Sequence, residues 1–166
     1  MTNPQSPFYE WSVQNVCLES KGEWEEGHRI PHYIEKLTKL IACIGPGICK
    51  IGIEHYIMPK PKKFGSGVTG GFLTLVELGG ILRSLLWLKG HHDFIEMSAT
   101  AIKLFFSGNG RADKQGMYTA YKTSWLFPDL YASHGLKGEE SYKHVPHPLE
   151  DEIDALAIAL FTLCYD

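Results

Sequence analysis

Pro148-Leu149-Glu150-Asp151-Glu152-Ile153-Asp154-Ala155-Leu156-Ala157-Ile158-Ala159-Leu160-Phe161-Thr162-Leu163-Cys164 is the stretch around which the chain is organised. From Ala155 onward nearly every residue is apolar, so a helix here is expected to be buried almost all round rather than along one stripe. Acids crowd its first turn. The helix dipole favours carboxylates there, which accounts for most such runs without any special role. Asp154 fits that account poorly. It lies a turn inside an apolar helix, three residues after Asp151, and that spacing puts both carboxylates on neighbouring parts of one face. A carboxylate taken out of water needs hydrogen bonds, a cation or a metal to offset its desolvation. Asp151 and Asp154 therefore read as half of an oxygen-rich cation site.

At 166 residues, the chain is long enough for one domain with a real core, burying about two thirds of the unfolded surface. No stretch reaches the roughly 20 apolar residues of a membrane span, since Arg83 interrupts Ile81 to Leu88 and the C-terminal run is short. No basic and then apolar leader is visible at the N-terminus. Cys17, Cys43, Cys49 and Cys164 include no CxxC pair and read as reduced core thiols of an intracellular protein.

The formal net charge of -3 hides an uneven distribution. Residues 50 to 122 carry ten Lys or Arg against five acids, whereas residues 123 to 166 carry two against eight. A basic middle beside an acidic end suits a polyanion surface next to a cation site, although ordinary surface charge gives similar numbers.

Outward from the C-terminal stretch, the order of elements is α/β. Residues 8 to 18 are aromatic and β-branched and read as a strand, with a turn at Ser20-Lys21-Gly22 and a second short strand near Trp24. From Pro31 the residues Ile34, Leu37, Leu40, Ile41 and Ile44 recur at helical spacing until Gly45-Pro46-Gly47. A buried strand is expected at Ile48-Cys49-Lys50-Ile51-Gly52-Ile53-Glu54. Thr69 to Leu88 reads as a long helix, in which Gly79-Gly80 suggests close approach of another backbone. Asp93 to Met97 reads as a strand, Ala101 to Phe106 and Gln115 to Phe127 as helices, and residues 128 to 147 as a loop. No repeat or linker divides the chain, so residues 1 to 166 are taken as a single domain.

Glu54 ends the most apolar strand, where α/β folds present functional groups. Plain solvation also explains a Glu opening a Glu-His-Tyr turn. Joined to Asp151 and Asp154, however, it completes a carboxylate set suited to Mg²⁺ or Mn²⁺, hard cations that keep waters for a substrate. Two such ions catalyse phosphodiester hydrolysis. The loop Met58-Pro59-Lys60-Pro61-Lys62-Lys63-Phe64-Gly65-Ser66-Gly67 would hold the polyanion through Lys60, Lys62 and Lys63.

Three segments in order, Ile51-Gly52-Ile53-Glu54-His55-Tyr56-Ile57-Met58, Ala101-Ile102-Lys103 with Gly108-Asn109-Gly110-Arg111-Ala112-Asp113-Lys114, and Asp151-Glu152-Ile153-Asp154-Ala155-Leu156-Ala157-Ile158-Ala159, resemble the RuvC family of Holliday-junction resolvases. The last segment is the most specific, and the likeness runs over residues 48 to 164. It implies an RNase H-like mixed sheet flanked by helices. It also implies a homodimer formed through the 69–88 helix, and metal-dependent nicking of two opposing strands of a four-way DNA junction. By that resemblance Glu54, Asp151 and Asp154 are metal-binding carboxylates for Mg²⁺ or Mn²⁺, two ions per site. Lys103 and Lys114 are basic residues near the scissile phosphate, Lys114 also assists catalysis, and Arg111 joins the DNA contacts. A divergent member of this kind is expected inside a cell, in the cytoplasm or nucleoid of a host or in an organelle.

The N-terminus departs from the family pattern. RuvC-like proteins carry an Asp at the end of a first apolar strand, followed by Pro-Gly, and in this chain the matching register holds Asn3-Pro4-Gln5 with only Met1 and Thr2 before it. Three explanations stand side by side. The chain as given begins inside the first strand, or Glu10 substitutes, or the form is catalytically weak or inactive. The alternatives to a resolvase are thus a junction-binding protein of the same fold, and a related nuclease for other branched or hybrid substrates.

Overall fold

The structure, a computed structural model, describes residues 29–44, 50–55, 70–124, 127, 129–137 and 141–165. Among them, five α-helices and a two-stranded parallel sheet make a mixed α/β arrangement. In chain order these are α1 (Arg29–Ala42), β1 (Ile51–His55), α2 (Gly70–Leu88), β2 (Phe94–Ser98), α3 (Ala99–Ser107), α4 (Lys114–Thr123) and α5 (His147–Cys164), with single 3-10 turns at Ala132–His134 and Tyr142–His144. The strands expected near residues 8–18 and Trp24, and the basic loop with Lys60, Lys62 and Lys63, lie outside the described residues. Among the described residues no helix is long and apolar enough to cross a membrane.

The chain gathers into two compact units, one taking in His55–Glu96 with α1, the other Gly52–Glu54 with the chain from Met97 onward. In the first unit, α1 buries Tyr33, Leu37 and Ile41, which recur every four residues and so share one face, and it packs on α2. Ile34, expected in that stripe, is exposed. Helix α2 buries Leu86 but exposes Val76, Trp87 and Leu88. Gly79-Gly80, a candidate helix-helix or dimer contact, has no other backbone within 4 Å of a built Cβ among the described residues. A Cβ on Gly80 would meet nothing within 4 Å, and one on Gly79 would lie 2.8 Å from Nη1 of Arg83. The bare Gly79 thus leaves room for the Arg83 side chain, which donates to Glu96 from Nε at 2.7 Å. Nδ1 of His55 lies 2.7 Å from the other Glu96 oxygen. The Arg83 hydrogen bond, and then that of His55, hold the Glu96 carboxyl below its ordinary range.

The second unit carries the candidate site. Ser98 caps α3, its hydroxyl accepting from Ala101 N–H, and Gly108, with φ 74°, ends it in the left-handed region that glycine tolerates. Asp113 caps α4 by accepting from Gly116 N–H. Helices α3 and α4 pack on α5, and the core between them is formed by Ile102, Phe106, Met117, Tyr118, Tyr121, Leu149, Ile153, Leu156, Ala157 and Leu160.

Three expectations are corrected here. Helix α4 ends at Thr123 rather than running to Phe127, because Ser124 turns extended (φ -94°, ψ 119°) and Phe127 stacks on Phe106 at 4.8 Å between ring centroids. The Thr123 hydroxyl donates to the Thr119 carbonyl and also to the Ala120 carbonyl at 3.2 Å, the acceptor that Ser124 N–H would need to continue the ladder. Helix α5 is not buried all round: Ala155, Ala159, Leu163 and Cys164 are exposed, while Leu149, Ile153, Leu156, Ala157 and Leu160 enter the core. Cys43, in the turn just past α1, and Cys164, the last residue of α5, are exposed free thiols rather than core residues.

Candidate functional site

Four acids begin α5, and the structure divides them among three cationic or imidazole neighbours. Glu150 lies 3.2 Å from Nδ1 of His147, and Glu152 lies 3.0 Å from Nε2 of His134. Asp151 and Asp154 share one partner, the Lys114 ammonium, which donates to Asp151 Oδ1 at 3.3 Å and to Asp154 Oδ2 at 2.6 Å. The two contacts are unequal. The Asp151 side chain is 70% exposed and that of Asp154 37%, so the shorter bond is also the drier one.

Lys114 is the first residue of α4, a position where the helix dipole disfavours a cation. Its charge is held instead by α5. Burial opposes the ammonium, but the hydrogen bonds and charges of Asp154, and then of Asp151, outweigh it and keep Lys114 above the ordinary lysine range.

Asp154 also borders a small cleft with Glu54, Ala99, Ile102, Lys103, Met117 and Ile158. Its volume of about 40 Å³ has room for roughly two or three water-sized groups. Its lining joins three charged side chains, Glu54, Lys103 and Asp154, to four apolar ones. Glu54, half-buried at the end of β1, has its carboxyl raised above the ordinary range, first by burial and then by the Asp154 charge. The charges of Lys103 and Lys114 pull it back in part. Two carboxylates that repel one another across a half-dry cleft store an affinity for cations.

Sequence reasoning placed Glu54, Asp154, Lys103 and Lys114 together, and they are together. Asp151 joins them only through Lys114 and does not line the cleft. Arg111 is exposed, its backbone N–H tied to Asn109 Oδ1 at 3.0 Å, and no contact joins it to the acids among the described residues. Sequence reasoning missed the apolar part of the lining. Ile158 was within reach of it, since a residue four after Asp154 shares its helical face, whereas Met117 and Ala99 are brought there only by the packing of α3 and α4.

The donor set bears on metal binding. Glu54 and Asp154 are hard oxygen donors on one cleft, and Mg²⁺ is commonly held by one or two carboxylates together with substrate phosphates and waters. The residues therefore fit such an ion, although among the described residues no three His, Cys, Asp or Glu side chains are grouped to hold one by themselves. Searched against protein-family models and against curated proteins, the chain matches none.

Proposed function

We propose that this chain is an RNase H-like, divalent-metal-dependent endodeoxyribonuclease that resolves four-way DNA junctions by paired nicking. The observation that carries the reading is the meeting of Glu54 with Asp154 and Lys103 on one cleft, with Lys114 bonded to Asp154. These residues come from three separate segments and match the resolvase pattern segment by segment.

Glu54 and Asp154 would hold Mg²⁺ or Mn²⁺, two ions per site, with Asp151 at the rim. When bound, the metal supplies Lewis acidity at the scissile phosphate and an activated water. Lys103 on the cleft and Lys114 bonded to Asp154 would supply positive charge that draws in the phosphodiester. Ala99, Ile102, Met117 and Ile158 supply the apolar part of the cleft lining, which would lower the local dielectric and strengthen the charge interactions there. In the overall reaction water oxygen bonds to phosphorus and the bond to the 3′ oxygen breaks. That oxygen takes a proton, leaving a 3′ hydroxyl and a 5′ phosphate.

Two cuts on opposing strands require two such sites, so the active form is a homodimer. Helix α2 suits its interface because Val76, Gly80, Ser84, Trp87 and Leu88 are all exposed and fall on one helical face. Lys60, Lys62, Lys63 and Arg111 extend the DNA contacts. The test is cleavage of a labelled four-way junction beside flaps, linear duplex and RNA:DNA hybrids in Mg²⁺ or Mn²⁺. Symmetrical nicks in the junction alone support the reading; preference for another substrate reassigns it.

One observation favours a second reading, a junction-binding protein without cleavage. The single Lys114 ammonium already offsets part of the charge of Asp151 and Asp154, and Asn3 stands where the family carries an acid. Junction gel shifts with no nicks in either metal support that form.

A further inference from the structure

Lys114 does more than a phosphate-binding lysine needs to do. A lysine serving only an incoming phosphate is best left reaching toward solvent, and this one is folded onto two carboxylates, at 2.6 Å from Asp154 and 3.3 Å from Asp151. It starts a helix whose dipole disfavours its charge. Asp113, the preceding residue, caps that helix through Gly116 N–H, which fixes where the Lys114 stem begins. The oxygen that Lys114 grips most closely belongs to the one α5 acid that lines the cleft with Glu54.

We propose that Lys114 is a built-in counter-ion of the acid pair, which a divalent cation must displace from Asp154 in order to bind, so that this lysine sets the metal threshold of the site. The inference rests on the metal site of the preceding section. An ammonium and a divalent ion compete for the same Asp154 oxygen, and two cations cannot share it closely without repelling each other. Displacement frees the ammonium to meet the charge that arrives with the substrate. Metal and nucleic acid are thereby linked: the anionic backbone stabilises the displaced lysine, and metal binds more tightly when DNA is present. In the absence of both, Lys114 offsets the repulsion that would otherwise burden Asp151, Asp154 and Glu54.

The test is direct Mn²⁺ binding to the full chain without DNA, read by loss of the free-ion magnetic resonance signal, for the parent chain, Lys114→Met, Lys114→Gln, Lys114→Arg and Asp154→Asn. Removing the ammonium is expected to tighten Mn²⁺ binding roughly three- to tenfold, the range for a half-exposed, charge-assisted ion pair. Lys114→Arg stays near the parent and Asp154→Asn weakens binding. A parent chain that binds Mn²⁺ with unchanged or weaker affinity in Lys114→Met and Lys114→Gln overturns the counter-ion while leaving the nuclease reading intact. No Mn²⁺ binding by any folded form overturns both. A second measurement needs no variant: the rate of reductive methylation of Lys114, followed by mass spectrometry, is expected to rise severalfold on adding Mg²⁺, and an unchanged rate counts against displacement.

Discussion

Gly52 of β1 and Thr162 of α5 lie so close that a Cβ on Gly52 would collide with the Thr162 hydroxyl, which itself donates to the Ile158 carbonyl at 2.7 Å. This contact explains how the site is assembled. Gly52 and Glu54 share one face of a strand of period two, and Asp154, Ile158 and Thr162 share one face of a helix through successive steps of four. Where the small residue lets strand and helix close up, Glu54 is carried to the cleft that Asp154 and Ile158 line.

Gly52→Ala is therefore expected to destabilise the chain by about 1 to 3 kcal/mol, the usual range for overpacking. The added methyl would also press on Met97 Cε, 3.1 Å away. Thr162→Ala in the same chain removes the hydroxyl and is expected to recover most of that loss. A double-mutant cycle by urea denaturation measures it, and purely additive effects would show that the two residues are not in contact.

Asp154→Asn keeps the shape of the side chain but removes the charge that borders the cleft. Junction nicking is expected to fall by at least about a hundredfold, in line with the loss of one preorganised charge group from an active site. Asp151→Asn is expected to cost less, because Asp151 is 70% exposed and outside the cleft lining. Single-turnover rates for both variants decide the order, and equal losses would place Asp151 in the cleft with bound substrate.

Glu54 titrates above the ordinary Glu value of 4.5 in the folded chain. Between that value and its raised one the folded state binds more protons than the unfolded state, so stability falls as pH rises through the window. Above the window the full penalty of a charged Glu54 beside Asp154 is present. Glu54→Gln is expected to make the metal-free chain more stable at pH 7.5 but not at pH 4. Denaturation in EDTA at both values measures it; a gain of the same size at each would remove the electrostatic cause.

Tyr121 accepts the buried Leu130 N–H at 2.7 Å, and burial pushes its phenol up to about 12. Tyr121→Phe leaves that amide without its partner and is expected to cost about 1 to 3 kcal/mol. Thermal unfolding reads the loss. Hydrogen exchange at Leu130 locates it, and unchanged protection there would assign the loss to another cause.

Gly80 lies on the exposed face of α2 in open space. Gly80→Glu is expected to strengthen the isolated helix by several tenths of a kcal/mol while introducing charge into the proposed dimer face. Sedimentation should then show a dimer for the parent chain and a monomer for the variant. A dimer that survives the change places the interface elsewhere.

The sequence by itself determined the order of helices and strands among the described residues and which charged side chains are candidates for the site. Periodicity and punctuation are local: Pro31, Gly108 and the apolar spacings act within a few residues of themselves, so α1, α2, α3, α5 and both strands lie close to where the pattern puts them. The carboxylate and lysine types at residues 54, 103, 114, 151 and 154 were also legible, because their segments carry a family resemblance. What only the tertiary structure decided is how the acids of α5 are shared out. Their spacing makes Asp151 and Asp154 look equivalent, yet Asp154 lines the cleft with Glu54 while Asp151 stands in solvent. The same holds for the two faces of α5. Its composition is apolar on every side, and burial was decided by α3 and α4, which cover Ile153, Leu156 and Leu160 and leave Ala155 and Ala159 at the surface. Burial is a property of the partner as much as of the residue, and a partner forty positions away along the chain leaves no periodic trace in the sequence.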